Sequence, residues 1–127
     1  MQKLILLIDD DKDEFEILNM AIQLARLPHL CIWAESSDRA EVLLQQVLPD
    51  LIFIDYNMPK VNGLMCLKRL RQLAKLDNTE IILYSNSISD VSRELALTQH
   101  ASYFQKPFFL NDLVNYLKTI TTSNTVM

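Results

Sequence analysis

Hydrophobic residues in this chain follow two rhythms. Leu4-Ile5-Leu6-Leu7-Ile8 and Leu51-Ile52-Phe53-Ile54 are unbroken apolar runs, whereas Phe15, Leu18, Ile22 and Ala25 recur at helical spacing. An unbroken run of strand length predicts a strand covered on both faces, and a spacing of three to four predicts a helix with one apolar stripe. Strands are predicted at 4–8, 30–34, 51–54, 81–84 and 102–105. Helices are predicted at 12–27, then from a cap at Ser37 or Asp38 through Ala40, Leu43, Leu44 and Val47, then at 64–75 with Leu67, Leu70 and Ala74 inward. A weaker helix at 90–98 is expected to anchor on Val91 and Leu95, and a last one from 111 to bury Leu113, Val114, Leu117 and Ile120. Breakers separate the elements: Pro28, Pro49-Asp50, and the loop 57–63 with Pro59 and the chain's one glycine, Gly63. Strands alternating with helices through right-handed crossovers predict an α/β fold, a five-stranded parallel sheet doubly wound with helices on both faces. One domain is expected over 1–127, with a core at 3–120 and a frayed polar tail at 121–127.

Composition narrows the function classes. The chain has 127 residues, 50% hydrophobic and 22% charged, which fits a globular domain with a full core. A net charge of −4 argues against broad contact with nucleic acid. No apolar stretch approaches the roughly 20 residues that cross a bilayer, and the N-terminus has no cleavage-site pattern, so no membrane partner is expected. Cys31 and Cys66 lack the spacing of a redox or zinc pair and read as small buried hydrophobes, in keeping with a cytoplasmic setting.

Chemistry gathers at the strand ends. The first run leads into Asp9-Asp10-Asp11 and the third into Asp55, while Ser85 ends the fourth and Lys106-Pro107 follows the fifth. In a parallel sheet these positions share one edge, where ligands bind near the reversal of strand order. Acids collected there repel one another unless a cation intervenes, either a divalent metal or a lysine such as Lys106. Taken singly, Asp55 reads as a turn residue, Lys106 as a solvated lysine and Ser85 as a loop hydroxyl. Asp11 reads as the cap of the first helix rather than a ligand.

In this order and at these places the residues resemble the receiver domain of two-component response regulators. The resemblance rests on Leu7-Ile8-Asp9-Asp10-Asp11, on Pro49-Asp50 through Asp55-Tyr56-Asn57-Met58-Pro59 with Gly63, and on Tyr103-Phe104-Gln105-Lys106-Pro107. Each piece is weak alone; their joint order is specific. The resemblance implies a flavodoxin-like strand order 2-1-3-4-5 and a phosphoacceptor that promotes its own phosphorylation and dephosphorylation, not an enzyme with a separate substrate. Asp55 would accept a phosphoryl group from the phosphohistidine of a histidine kinase or phosphotransfer protein. Mg²⁺, or Mn²⁺ in its place, would be held by Asp10, Asp55 and the Asn57 carbonyl, with Asp9 acting mainly through water. Lys106 would contact the phosphoryl oxygens and Ser85 would donate a hydrogen bond to them. Ser85 and Tyr103 would form the switch pair, and the Lys106-Pro107 bond would be cis. A protein target would then bind the fourth helix, fifth strand and fifth helix, roughly 91–97, 103–105 and 111–118, as in stand-alone receivers of the chemotaxis type.

The sequence departs from the family in two places. Asn86 stands where a small residue is usual, and His100-Ala101 where Gly-Ala is common before the fifth strand. His29 and His100 have no second ligand at metal spacing and read as structural. A phosphorylation-independent interaction module is the alternative, disfavoured by the intact Asp10, Asp55, Ser85 and Lys106. A Mg²⁺-dependent phosphatase would need a second acid at position 57, which is Asn. A flavin carrier would need hydroxyls and backbone donors where the first loop is acidic.

Overall fold

A computed structural model describes residues 2–87 and 89–122. Of the tail expected at 121–127, residues 123–127 lie outside the described residues. Thr121 and Thr122 are not frayed but end the last helix, with Thr121 buried and its hydroxyl donating to the Leu117 carbonyl. Within the described residues the chain runs β1 (Leu4–Ile8), α1 (Lys12–Leu24), β2 (Leu30–Ala34), α2 (Ser37–Leu43), β3 (Leu51–Asp55), α3 (Gly63–Arg71), β4 (Glu80–Ser85), α4 (Asp90–Thr98), β5 (Ala101–Gln105) and α5 (Leu110–Thr122), with a single 3-10 turn at Ala74–Leu76. All strand pairs are parallel, in the order β2-β1-β3-β4-β5. No helix among the described residues is long and apolar enough to cross a membrane.

The unbroken apolar runs arise because both sheet faces are covered. Leu6, Ile8, Ile52, Ile54, Ile81 and Leu83 point to one side, against Leu44 of the α2 end and Cys66, Leu67 and Leu70 of α3. Ile5, Leu7, Phe53, Ile82 and Tyr84 point to the other, against Leu18 and Ile22 of α1 and Leu113 and Leu117 of α5. Period-two alternation thus divides one apolar string between two cores. Burial pushes the Cys31 thiol up to about 12 and the Cys66 thiol up to about 11, so both behave as packed hydrophobes rather than reactive thiols.

Several expected boundaries shift for identifiable reasons. α1 stops at Leu24 because Arg26 adopts the left-handed region at φ 56°. Ser36, rather than Ser37 or Asp38, caps α2 by accepting from the Arg39 N–H. α3 ends at Arg71, whose guanidinium donates to the carbonyls of Leu76, Thr79, Gln99 and His100 and ties α3 to the start of β4 and to the α4–β5 turn. That turn does need a positive φ, 56° at His100, a conformation that glycine adopts with less strain. His29 is structural as expected, its Nδ1 accepting from the Lys3 N–H. In α4 the expected anchors are corrected: Val91 and Leu95 face outward, and the helix buries the small Ser92 and Ala96 against the sheet. No peptide bond is cis among the described residues, so Lys106-Pro107 is trans.

Gly63 has a packing reason beyond breaking a loop. A Cβ there would stand 2.5 Å from the Asp55 carbonyl oxygen and 2.6 Å from the Tyr56 Cα, both backbone atoms that cannot step aside. Gly63→Ala is expected to cost about 2–3 kcal/mol of stability, read as a lower denaturant midpoint with unchanged slope. An unaltered midpoint would contradict this close approach of α3 to the end of β3.

Candidate functional site

Register sets the site. Ile8 pairs with Ile54, so Asp9 and Asp55 emerge side by side from β1 and β3, where the strand order reverses. Ser85 closes β4 opposite Gln105, and the Lys106 N–H donates to the Ser85 carbonyl at 2.8 Å, placing the lysine one step beyond β5. Asp9, Asp55 and Ser85 are buried, whereas Asp10 is exposed.

Carboxylate oxygens of Asp9, Asp10 and Asp55 all lie within 4.8 Å of one another, a spacing that could hold a metal ion. Lys106 reaches into them: its Nζ lies 3.5 Å from Asp55 Oδ1 and 3.6 Å from Asp9 Oδ2. Asp9 Oδ2 is buried without a hydrogen-bond donor at hydrogen-bonding distance, while Oδ1 accepts from the Asp11 N–H at 3.0 Å. Burial pushes the Asp9 carboxyl up to about 7; nearby Asp55 and Glu14 push the same way, and the Asp11 N–H and Lys106 oppose them. An oxygen-only set of acids with one orphaned buried oxygen suits a hard divalent cation, so the residues present fit Mg²⁺.

The hydroxyl side of the site is also arranged. Ser85 Oγ accepts from Asn57 Nδ2 at 3.1 Å and donates to the Ser87 carbonyl at 3.4 Å. The Asn57 N–H points to Asp55 Oδ1 at 3.4 Å. Tyr103 lies on β5, which pairs with β4. Tyr103 is 37% exposed, with the Arg93 guanidinium 4.3 Å from the ring centre. Asp11 caps α1 by accepting from the Asp13 N–H, as the sequence predicts. The structure therefore brings Asp9, Asp10, Asp55 and Lys106 together, sets Ser85 and Asn57 beside them, and turns Tyr103 outward.

Three further residues contribute to the site beyond those expected from the sequence. Glu14 Oε1 lies 3.6 Å from Lys106 Nζ, a third carboxylate on the same ammonium. Trp33 Nε1 donates to the Asp9 carbonyl at 2.7 Å and stacks on Phe15, so β2 braces the acidic loop. Tyr84 places its ring 5.2 Å beneath the Lys106 ammonium. Only Glu14 had a sequence signal: it stands three residues after the cap Asp11, where an acid is expected to fold back on the helix start.

Comparison with known proteins gives the family and the fold. The family model described as "Response regulator receiver domain" matches residues 5–118. The transcriptional regulatory protein CpxR of Escherichia coli is 33% identical over 117 residues, covering 91% of this chain and 48% of that protein. The phosphate regulon regulatory protein PhoB of Pseudomonas aeruginosa is 28% identical over 93% of this chain and 51% of its own length. The chain spans about half the length of these curated relatives. Among solved structures, the phosphorylated cyanobacterial phytochrome response regulator RcpA superposes with a TM-score of 0.84 at 24% identity, covering 100% of this chain and 98% of that one. The chemotaxis protein CheY4 of Vibrio cholerae gives 0.83 at 21% identity, covering 94% and 99%. At those identities the structures speak for the fold.

Proposed function

The chain belongs to the response regulator receiver domain family, and we propose that Asp55 is its phosphoacceptor, charged from the phosphohistidine of a histidine kinase or phosphotransfer protein. In that step the N–P bond of the donor breaks, an Asp55 Oδ–P bond forms, and the imidazole leaves with a proton from solvent. The observation that carries this reading is the Lys106 ammonium held between buried Asp9 and Asp55 at the reversal of strand order. A carboxylate attacks an anionic phosphoryl group only where charge on both is neutralised, and Lys106 supplies a fixed positive charge for that purpose. Asp10, Asp55 and the Asn57 carbonyl would hold Mg²⁺, or Mn²⁺, with Asp9 beside them acting mainly through ordered water. When bound, the metal supplies further charge neutralisation and fixes the geometry of the reacting oxygens.

Ser85 is positioned to exchange its bond to the Ser87 carbonyl for one to a phosphoryl oxygen on Asp55. Tyr103, now outward under Arg93, can then move toward the vacated space. The face of α4, β5 and α5 carries exposed Val91, Leu97 and Tyr103, which suits a protein target. The chain thus acts as a phosphoacceptor switch rather than an enzyme on a separate substrate, and we place it in the cytoplasm.

The test is intact-mass measurement after incubation with acetyl phosphate or phosphoramidate and Mg²⁺, where one phosphoryl adduct is expected. A wild-type protein that gains none overturns the reading. Metal binding has its own readout, because Trp33 touches the Asp9 carbonyl. Mg²⁺ is expected to change Trp33 emission saturably, and Asp10→Ala to move the midpoint to at least about tenfold higher Mg²⁺. An unchanged midpoint in Asp10→Ala places the metal elsewhere.

A further inference from the structure

Lys106 is shared among three carboxylates, and only two of them belong to the phosphoacceptor cluster. The third, Glu14, comes from the first turn of α1 and lies 3.6 Å from the ammonium, nearly the same distance as Asp9 and Asp55. Its position three residues after the cap would ordinarily send it back to the N–H of Asp11. That N–H is already taken by Asp9 Oδ1 at 3.0 Å, so the capping partner is removed and the carboxylate swings to Lys106. Glu14 and Lys106 also line one cleft of about 290 Å³, together with Tyr84, Asn86 and the fully exposed Phe108. The Glu14 side chain is 22% exposed against 11% for Lys106, so it is the more solvent-accessible member of the pair. An anion that approaches Lys106 therefore meets the negative field of Glu14 along with the charge that would stabilise it.

We infer that Glu14 is a specificity-determining residue for the phosphodonor, disfavouring free dianionic donors relative to donors that carry a cation next to the transferring phosphorus. The inference rests on the phosphoacceptor reading above. Two effects act together. The carboxylate repels a dianion during approach, and it holds part of the Lys106 charge that the phosphoryl oxygens need. A donor bearing its own positive charge is attracted to Glu14 and escapes the first effect.

Two small donors separate these cases. Acetyl phosphate enters as a dianion; its acyl O–P bond breaks, Asp55 Oδ gains the phosphoryl group and acetate leaves. Phosphoramidate carries a protonated nitrogen on phosphorus; its P–N bond breaks, the same Asp55 bond forms and ammonia leaves with the protons already on it. The experiment measures second-order phosphorylation rates of the full chain for wild type and Glu14→Gln at saturating Mg²⁺, at low and high ionic strength. Glu14→Gln is expected to raise the acetyl phosphate rate about tenfold at low salt and the phosphoramidate rate by about twofold or less, with the gap closing at high salt. Glu14→Ala should reproduce the same ratio between donors, which a packing or folding defect cannot do, since a defect scales both donors alike. Equal changes with the two donors, no change, or a slower acetyl phosphate rate overturns the inference. Wild-type protein that accepts from neither donor overturns the phosphoacceptor reading instead, so the two failures are distinct.

Discussion

Asp55→Asn is expected to abolish phosphoryl incorporation, a loss of at least about a thousandfold in rate, while leaving the fold intact. The reason is local chemistry. Asn is nearly isosteric, and Asp55 sits at the end of β3 in backbone pairing with Tyr84 that the substitution does not touch. What disappears is the anionic oxygen that forms the new bond to phosphorus. An amide oxygen is a far weaker nucleophile, and Lys106 loses one of its three carboxylate partners. Removing one charge from a crowded acidic cluster should not destabilise the protein, so the denaturant midpoint is expected to stay level or rise. The decisive measurement is intact mass of wild type and variant after the same exposure to acetyl phosphate and Mg²⁺. A full adduct on Asp55→Asn would move the nucleophile to Asp9 or Asp10 and leave Asp55 as a metal ligand only.

The sheet and the main cluster were legible because both follow from strand ends. Unbroken runs such as Leu4–Ile8 specify strands covered on two sides, and such strands put whatever follows them on one edge. Asp9, Asp55, Ser85 and Lys106 therefore converge from position alone, and the structure places them as that logic requires. The cap at Asp11 was readable for the same reason: it is decided within one turn of helix.

What escaped depends on which way a side chain turns after the elements pack. α4 offered Val91 and Leu95 as the only large apolar residues at helical spacing, yet the helix docks through Ser92 and Ala96. Small residues let the helix approach closely, and Ser92 is held by hydrogen bonds to the Tyr56 hydroxyl and the cap Ser89, contacts no periodicity count can reveal. The pairing of Trp33 with the Asp9 carbonyl joins residues 24 apart in sequence through the β1–β2 register. Glu14 was masked by its capping position, because the competition for the Asp11 N–H is settled by the buried Asp9.

Asp9 also yields the largest effect expected on stability. Its carboxyl titrates near 7 in the folded chain against an ordinary value of 3.8, chiefly because it is buried. The folded state therefore keeps a proton that the unfolded chain gives up once pH passes about 4. A raised folded value means the stabilising contribution is present at low pH and is lost as pH rises through about 7. Without metal, Asp9 should remove on the order of 3–4 kcal/mol between pH 4 and pH 8, at 1.36 kcal/mol for each unit of difference. Asp9→Asn removes the titration, so the variant should match wild type near pH 4 and exceed it at pH 8 by that order. Comparing the two proteins cancels other groups, including His29, whose lowered value works in the opposite sense by weakening the fold under acid conditions. Mg²⁺ at pH 8 should restore much of the loss in wild type and little in Asp9→Asn, because a bound cation takes the place of the missing proton. Denaturant midpoints across pH, with and without Mg²⁺, measure all four arms. A wild-type advantage at pH 8 without metal, or a difference that does not vary with pH, would show that Lys106 alone suffices to hold Asp9 charged at no cost to the fold.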